Sequence, residues 1–167
     1  MAFDRLADIQ ANLTTFYEQL AGEERAFALA EEAQKTRIQQ QIRLTWQRIR
    51  ACEREYAITL SQQIKRQALP EPIATEITTD LVEELEIWAP QEQRDQIQEL
   101  LQQILAELRK PDTPASAKLK VAIPLIPNLV SYELEGDTES VVRRLFPTFV
   151  KAYEGLRSLA SSAGPKK

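Results

Sequence analysis

The chain has 167 residues, 43% hydrophobic and 28% charged, with a formal net charge of −4; wholesale disorder is excluded, and nothing in the overall charge favours nucleic acid as a partner. Four glycines are too few for a sandwich or barrel built on many tight turns. The absence of histidine removes imidazole acid–base chemistry, histidine-dependent triads and histidine metal sites, and a single cysteine, Cys52, excludes an intrachain disulfide.

The N-terminal "MAFDRLADIQANL" carries an early acidic residue and lacks a signal-peptide core. Together with the lone cysteine it gives a cytoplasmic expectation. Leu6, Ile9, Leu13, Phe16 and Leu20 recur at spacings of three and four, which predicts a first helix with one apolar stripe. The pattern weakens past Gly22 towards Phe27, and a break is predicted near Gly22 or within 31–36. A second helix is predicted over 35–67, its stripe formed by Ile38, Ile42, Trp46, Ile49, Cys52, Tyr56, Leu60 and Ile64. At about 1.5 Å per residue it would be roughly 50 Å long. A helix of that length with one apolar side needs a partner helix. An antiparallel hairpin with the first helix is the simplest one, and a coiled coil with a second chain is the alternative.

"ALPEP", 68–72, ends the hairpin, with Pro72 placed for the first turn of a third helix carrying Ile73, Ile77, Leu81, Leu85 and Trp88. Pro90 is expected to open a fourth helix, lined by Ile97, Leu101, Ile104 and Leu108, and "RKPDTP", 109–114, to form a turn. The most apolar stretch, "KLKVAIPLIPNLVSYELEGDTES" over 118–140, holds two prolines. Its longest apolar run, Val121–Val130, is half the roughly 20 residues needed to span a bilayer. Alternation of Leu119, Val121, Ile123 and Leu125 resembles a strand, but Pro124 and Pro127 each lack a ladder donor. Two short helices broken at the prolines are therefore preferred over a strand or an extended apolar arm packed on the bundle or on another molecule, with Pro114 opening the first, Pro127 in the first turn of the second and Gly136 at its end. A last helix follows, capped by Asp137 or Thr138, with Val142, Phe146, Phe149, Tyr153 and Leu156 inward and Pro147 kinking or restarting it. "SSAGPKK", 161–167, reads as a loose tail.

The expected fold class is therefore all-α: a long antiparallel helical hairpin (1–68), then a smaller helical bundle packed on it (70–160) with a proline-broken apolar segment at 118–135. Charge is segregated along it. Residues 35–66 hold eight basic and two acidic groups, while the third and fourth helices are strongly acidic.

Each candidate site has a plainer structural reading. The basic helix, with Arg43, Arg48, Arg50 and Arg54 at its centre, would suit an anionic partner, yet no aromatics interleave with the arginines as a single-strand platform requires. Cys52 lies on the apolar stripe and has no histidine to activate it. Glu76, Asp80, Glu83, Glu84 and Glu86 fall on different faces of one helix and read as solvated surface rather than a metal site. "GDTES", 136–140, is a helix cap with too few oxygens for calcium. No glycine-rich phosphate loop occurs. No catalytic residue, cofactor or metal is expected, and the chain is read as non-enzymatic.

"LTTFYEQLAGEERAFALAEEAQKTRIQQQIRLTWQRIRACEREYAITLSQQ", 13–63, resembles the helical hairpins of bacterial signalling and defence proteins. "PASAKLKVAIPLIPNLVSYELEGDTESVVRRLFPTF", 114–149, resembles a segment of the same accessory modules. Those effector-associated domains sit beside caspase-like, TIR or STAND NTPase domains. The resemblance implies an adaptor role through homotypic or heterotypic contacts, in defence or programmed-cell-death signalling. It carries no catalytic residues and no small-molecule substrate.

The expected partner is thus a protein or a second copy of the chain, with Leu125, Ile126, Leu129 and Tyr132 as the contact and Phe146 and Phe149 supporting them. A membrane-active bundle using the same apolar segment is the alternative. Nucleic-acid binding through 35–66 is the weaker one.

Overall fold

The structure is a computed structural model that describes residues 2–132 and 140–162, with side chains over 5–132 and 140–159. The described residues are all-α and contain no strand. Helices α1 (Ala2–Leu29) and α2 (Glu32–Arg66) form the long hairpin, reversing at Ala30 and Glu31. The break falls there rather than at Gly22. One helical glycine costs only about 1 kcal/mol against alanine and need not end a helix.

Helix α3 (Glu71–Trp88) begins as expected with Pro72 in its first turn, where no helical N–H is needed. Pro90 does not open the next helix. It lies in a 3₁₀ turn, Ala89–Gln91, and α4 starts only at Asp95 and runs to Leu108. The delay has a local cause. The Glu92 carboxylate accepts hydrogen bonds from the Gln93 N–H at 3.0 Å and the Arg94 guanidinium at 2.6 Å, while Glu92 and Arg94 keep extended backbones. This side-chain turn competes with helix initiation until Arg94 is passed. The following turn places Asp112 at φ 59°, the left-handed region that aspartate tolerates better than most residues.

The proline-rich segment is a broken helix: α5 (Ala115–Ala122), a 3₁₀ turn (Ile123–Leu125) containing Pro124, and α6 (Ile126–Tyr132) with Pro127 in its first turn. Pro114 offers no side-chain cap to α5. The cap comes from another helix. The Glu71 carboxylate accepts the N–H groups of Ala115 and Ser116, both at 3.1 Å, and the Ser116 hydroxyl. Hydrogen bonds from Ser116 and Ala115 hold that carboxyl below its usual range. One acidic side chain thus joins the starts of α3 and α5.

Helix α7 (Val141–Ser162) runs through Pro147, which neither restarts nor ends it. Its cap is Ser140, whose hydroxyl accepts the Arg143 N–H at 3.1 Å. Ser161 and Ser162, expected in the loose tail, belong to α7; Gly136, Asp137 and Thr138, with the rest of that tail, 163–167, lie outside the described residues.

Hairpin and bundle share one hydrophobic core. Leu6, Ile9 and Leu13 of α1 and Tyr56, Leu60 and Ile64 of α2 meet Leu81, Leu85, Leu101, Leu129, Leu145 and Phe149 in a single cluster. Phe146 bridges the layers edge-on, 5.3 Å from Tyr17 and 5.7 Å from Tyr56. Arg144 lies 4.9 Å over the Trp88 ring and ties α7 to the end of α3.

Two helical glycines differ in what surrounds them. A Cβ at Gly155 would stand 2.9 Å from Leu69 Cδ2 and 3.1 Å from Ile73 Cγ2, so the missing side chain lets α7 close on the start of α3. At Gly22 the nearest atom would be the Arg25 guanidinium at 3.9 Å. Gly22→Ala is therefore expected to stabilise the chain by about 0.5–1 kcal/mol. Gly155→Val is expected to destabilise it by about 1–3 kcal/mol through overpacking. Urea denaturation of both variants checks the pair. A stabilised Gly155→Val protein would contradict the close α3–α7 packing.

Candidate functional site

The residues expected to form the partner surface do not share one exposure. Ile126 and Leu129 are buried in the shared core, Leu129 completely, and Leu125 packs partly against it. Tyr132, at the end of α6, is 49% exposed and borders a surface depression of about 450 Å³ with Arg94, Asp95, Gln96 and Ile97. The broken helix turns its apolar groups inward because α2, α4 and α5 all pack against it or its 3₁₀ turn. Phe149 is core, and Phe146 is half-buried between α1 and α2.

The basic residues of α2 also separate. Arg43, Arg48 and Arg54 are exposed and make no ion pair among the described residues. Arg50 is buried, its guanidinium 5.1 Å over the Trp46 ring. Spacings of seven and four put Arg43, Arg50 and Arg54 on one flank of the helix, whereas Arg48, two residues before Arg50, points elsewhere. They do not make one continuous basic face. The acidic helices leave these arginines alone. Asp80 and Glu76 bind Lys151 at 2.8 and 3.2 Å, and Glu86 pairs with Arg109 at 2.8 Å.

A buried polar cluster joins the hairpin to α7. Glu53, only 1% exposed, accepts the Tyr17 hydroxyl at 2.6 Å and the Ser140 hydroxyl. Arg143 reaches over Tyr17 at 5.6 Å and Trp46 at 6.0 Å, placing its charge beside the carboxylate with that of Arg50. Burial pushes the Glu53 carboxyl above its usual range, against the lowering effect of Ser140, Tyr17, Arg50 and Arg143. Burial likewise raises Tyr17, with Glu53 adding to it. These are the properties of a structural anchor: the Glu53 carboxylate, the Tyr17 hydroxyl and the Ser140 hydroxyl bond one another inside the chain.

Glu53 was legible but missed. It stands at the Ile49+4 position of the apolar stripe, and a carboxylate there signals a buried partner. Cys52, assigned to the stripe instead, is half-buried, its thiol 3.8 Å from the Ile9 carbonyl. Burial, with Glu55 and Glu53 nearby, pushes that thiol up to about 11, so it is protonated at neutral pH and a poor nucleophile.

The other locus is the distal part of the hairpin. No side chain from Ala21 to Leu44 is buried, so the bundle covers only the base of the hairpin. Phe27, Ile38 and Ile42 are left half-covered on the seam between the helices, and Leu29 at the tip is 87% exposed. Where the start of α7 leaves off, the seam opens as a groove of about 330 Å³ lined by Glu24, Phe27, Gln39, Ile42, Arg43 and Trp46. Trp46 closes its inner end, packed with Leu20 and Ile49. The groove is apolar at its floor and charged at its rim, which suits side chains from another helix better than a reacting small molecule.

Comparison of the chain with protein-family models, with curated proteins and with solved structures finds no match in any of the three. Among the described residues no helix is long and apolar enough to cross a membrane.

Proposed function

We propose that this chain is a non-enzymatic helical protein–protein interaction module, an adaptor that engages its partner through the free arm of the hairpin, residues 21–44. The observation that carries the reading is the uncovered seam: Phe27, Ile38 and Ile42 lie half-exposed at core-like spacing beyond the reach of the bundle. Apolar side chains in register on a two-helix arm gain about 25 cal/mol per Å² when covered, before the costs of association. The unpaired rim charges Glu24 and Arg43 would then select the partner and its orientation. The setting in bacterial defence or cell-death signalling rests on the resemblance of 13–63 and 114–149 to effector-associated modules.

The membrane-active and nucleic-acid readings draw less support. Ile126 and Leu129 already spend their apolar surface inside the chain, and the arginines of α2 are divided between two sides. The test is pull-down of the products of neighbouring genes by wild-type protein and by Phe27→Asp. Capture is expected to fall about tenfold or more, as for a central interface residue, with an unchanged unfolding midpoint. Capture that survives Phe27→Asp and Ile42→Asp together would contradict the arm as the contact. Binding to anionic vesicles or to DNA, lost steeply with salt, would favour the other readings instead.

A further inference from the structure

We propose that copies of this chain associate head to tail: the basic outer side of α2 in one copy rests on the acidic outer side of α3 in the next. The contact is separate from the groove of the arm and leaves it open.

Charge complementarity carries the proposal. Arg37, Arg48 and Arg66 are exposed, and none is in an ion pair among the described residues. Intervals of eleven and eighteen residues put them on one side of α2, about three and five whole turns apart. Leu44, 54% exposed, lies between the first two on the same side. Between Lys35 and Arg66 the acidic residues are Glu53, which is buried, and Glu55, which Arg5 holds. Trp46, two residues before Arg48, points the other way into the groove.

Helix α3 has the opposite character. Glu76, Glu83 and Ile87 recur at intervals of seven and four on its outer side, with Asp80, Glu84 and Glu86 beside them. Lys151 takes Glu76 and Asp80, and Arg109 takes Glu86. Glu83 and Glu84 are exposed and in no ion pair among the described residues. Ile87, 61% exposed, stands one turn from both.

The two faces cannot answer each other inside one molecule. Helix α3 packs on α4, α5 and α7, while α5 and α7 pack on α2, so the acidic and basic sides look away from each other across the bundle. For the same reason two copies cannot satisfy both faces at once. Each contact leaves one basic and one acidic face free, which makes the association heterologous and self-propagating. With α2 antiparallel to α3 of the next copy, Leu44 set on Ile87 brings Arg48 beside Glu83 and Glu84. An apolar contact then sits at the centre with charge pairs around it. A contact this polar belongs to the weak, reversible class and is screened by salt.

Sedimentation equilibrium from about 10 µM to about 1 mM protein tests the proposal. In about 20 mM salt the average mass of wild type is expected to rise past that of two chains, and in about 0.5 M salt to return towards one. Arg48→Glu and Glu83→Lys/Glu84→Lys are each expected to weaken association about tenfold, because like charges then meet. An equal mixture of these two variants is expected to return to within about threefold of wild type, since their altered faces complement each other. All three sites are exposed, so circular dichroism and unfolding midpoints stay unchanged. A chain monomeric at every concentration overturns the proposal, and so does a mass that levels off at two chains or a mixture no better than either variant alone. If the monomeric chain binds phosphatidylserine vesicles and Arg48→Glu weakens that binding, the basic side meets lipid and the proposal falls.

Discussion

Leu129→Asp is expected to unfold the chain rather than to detach a partner. Leu129 has no exposed surface and sits in the cluster that joins α2, α4, α6 and α7. Truncating a buried leucine costs about 2–5 kcal/mol through lost transfer energy and the cavity left behind. An aspartate adds the burial of a carboxylate with no counterion, so the total exceeds about 4–5 kcal/mol. That is a large part of the 5–15 kcal/mol that keeps a domain of this kind folded. Circular dichroism and a urea titration of the purified variant check it. A variant with native helicity, a native midpoint and only lost binding would put Leu129 on the surface and contradict the packing of α6.

Glu53→Ala is expected to cost about 3–5 kcal/mol, the range found when one partner of a buried charge group is removed. The Tyr17 and Ser140 hydroxyls lose their acceptor, and Arg50 and Arg143 lose the nearby carboxylate. The site also has a pH signature. Burial holds the folded-state pKa of Glu53 above its value in the unfolded chain, so the native state binds this proton more tightly. The contribution of Glu53 to stability is then fully present below the unfolded value, about 4.3, and is lost as pH rises through the higher folded value. Glu53→Gln keeps an oxygen acceptor and removes the titration. The stability of wild type relative to Glu53→Gln is therefore expected to fall between about pH 4.3 and neutrality. Denaturant titrations at both ends of that interval measure it. A difference that stays flat or rises with pH would contradict a raised Glu53.

The fold was largely legible because it rests on periodicity. Spacings of three and four locate the faces of α1 to α4 and α7, and prolines at 72, 124 and 127 sit where a helix can begin or a 3₁₀ turn can form. The errors came from interactions between residues not yet in contact. Pro90 has the chemistry to start a helix, but the Glu92–Arg94 turn holds the chain extended until Asp95. The start of α5 is capped by Glu71, 44 residues earlier in the chain. No local pattern reports such a cap.

The candidate site was less legible for a related reason. An apolar pattern says that a residue is buried somewhere, not whether this chain or another covers it. "VAIPLIPNLV" has the strongest such pattern, and α2, α4 and α5 cover it. Phe27, Ile38 and Ile42 have a weaker pattern and remain uncovered, because the bundle is shorter than the hairpin it packs on. The unpaired charges of Glu24 and Arg43 beside them acquire meaning only once that exposure is known.

Hydrogen exchange measured by mass spectrometry on the free chain and on the chain saturated with the protein it captures tests the central claim most directly. The account predicts that amides of 21–44 gain protection on binding, while those of 115–132 are equally protected in both. Protection gained in 115–132 with the arm unchanged would show the broken helix, not the hairpin arm, to be the surface that another molecule covers.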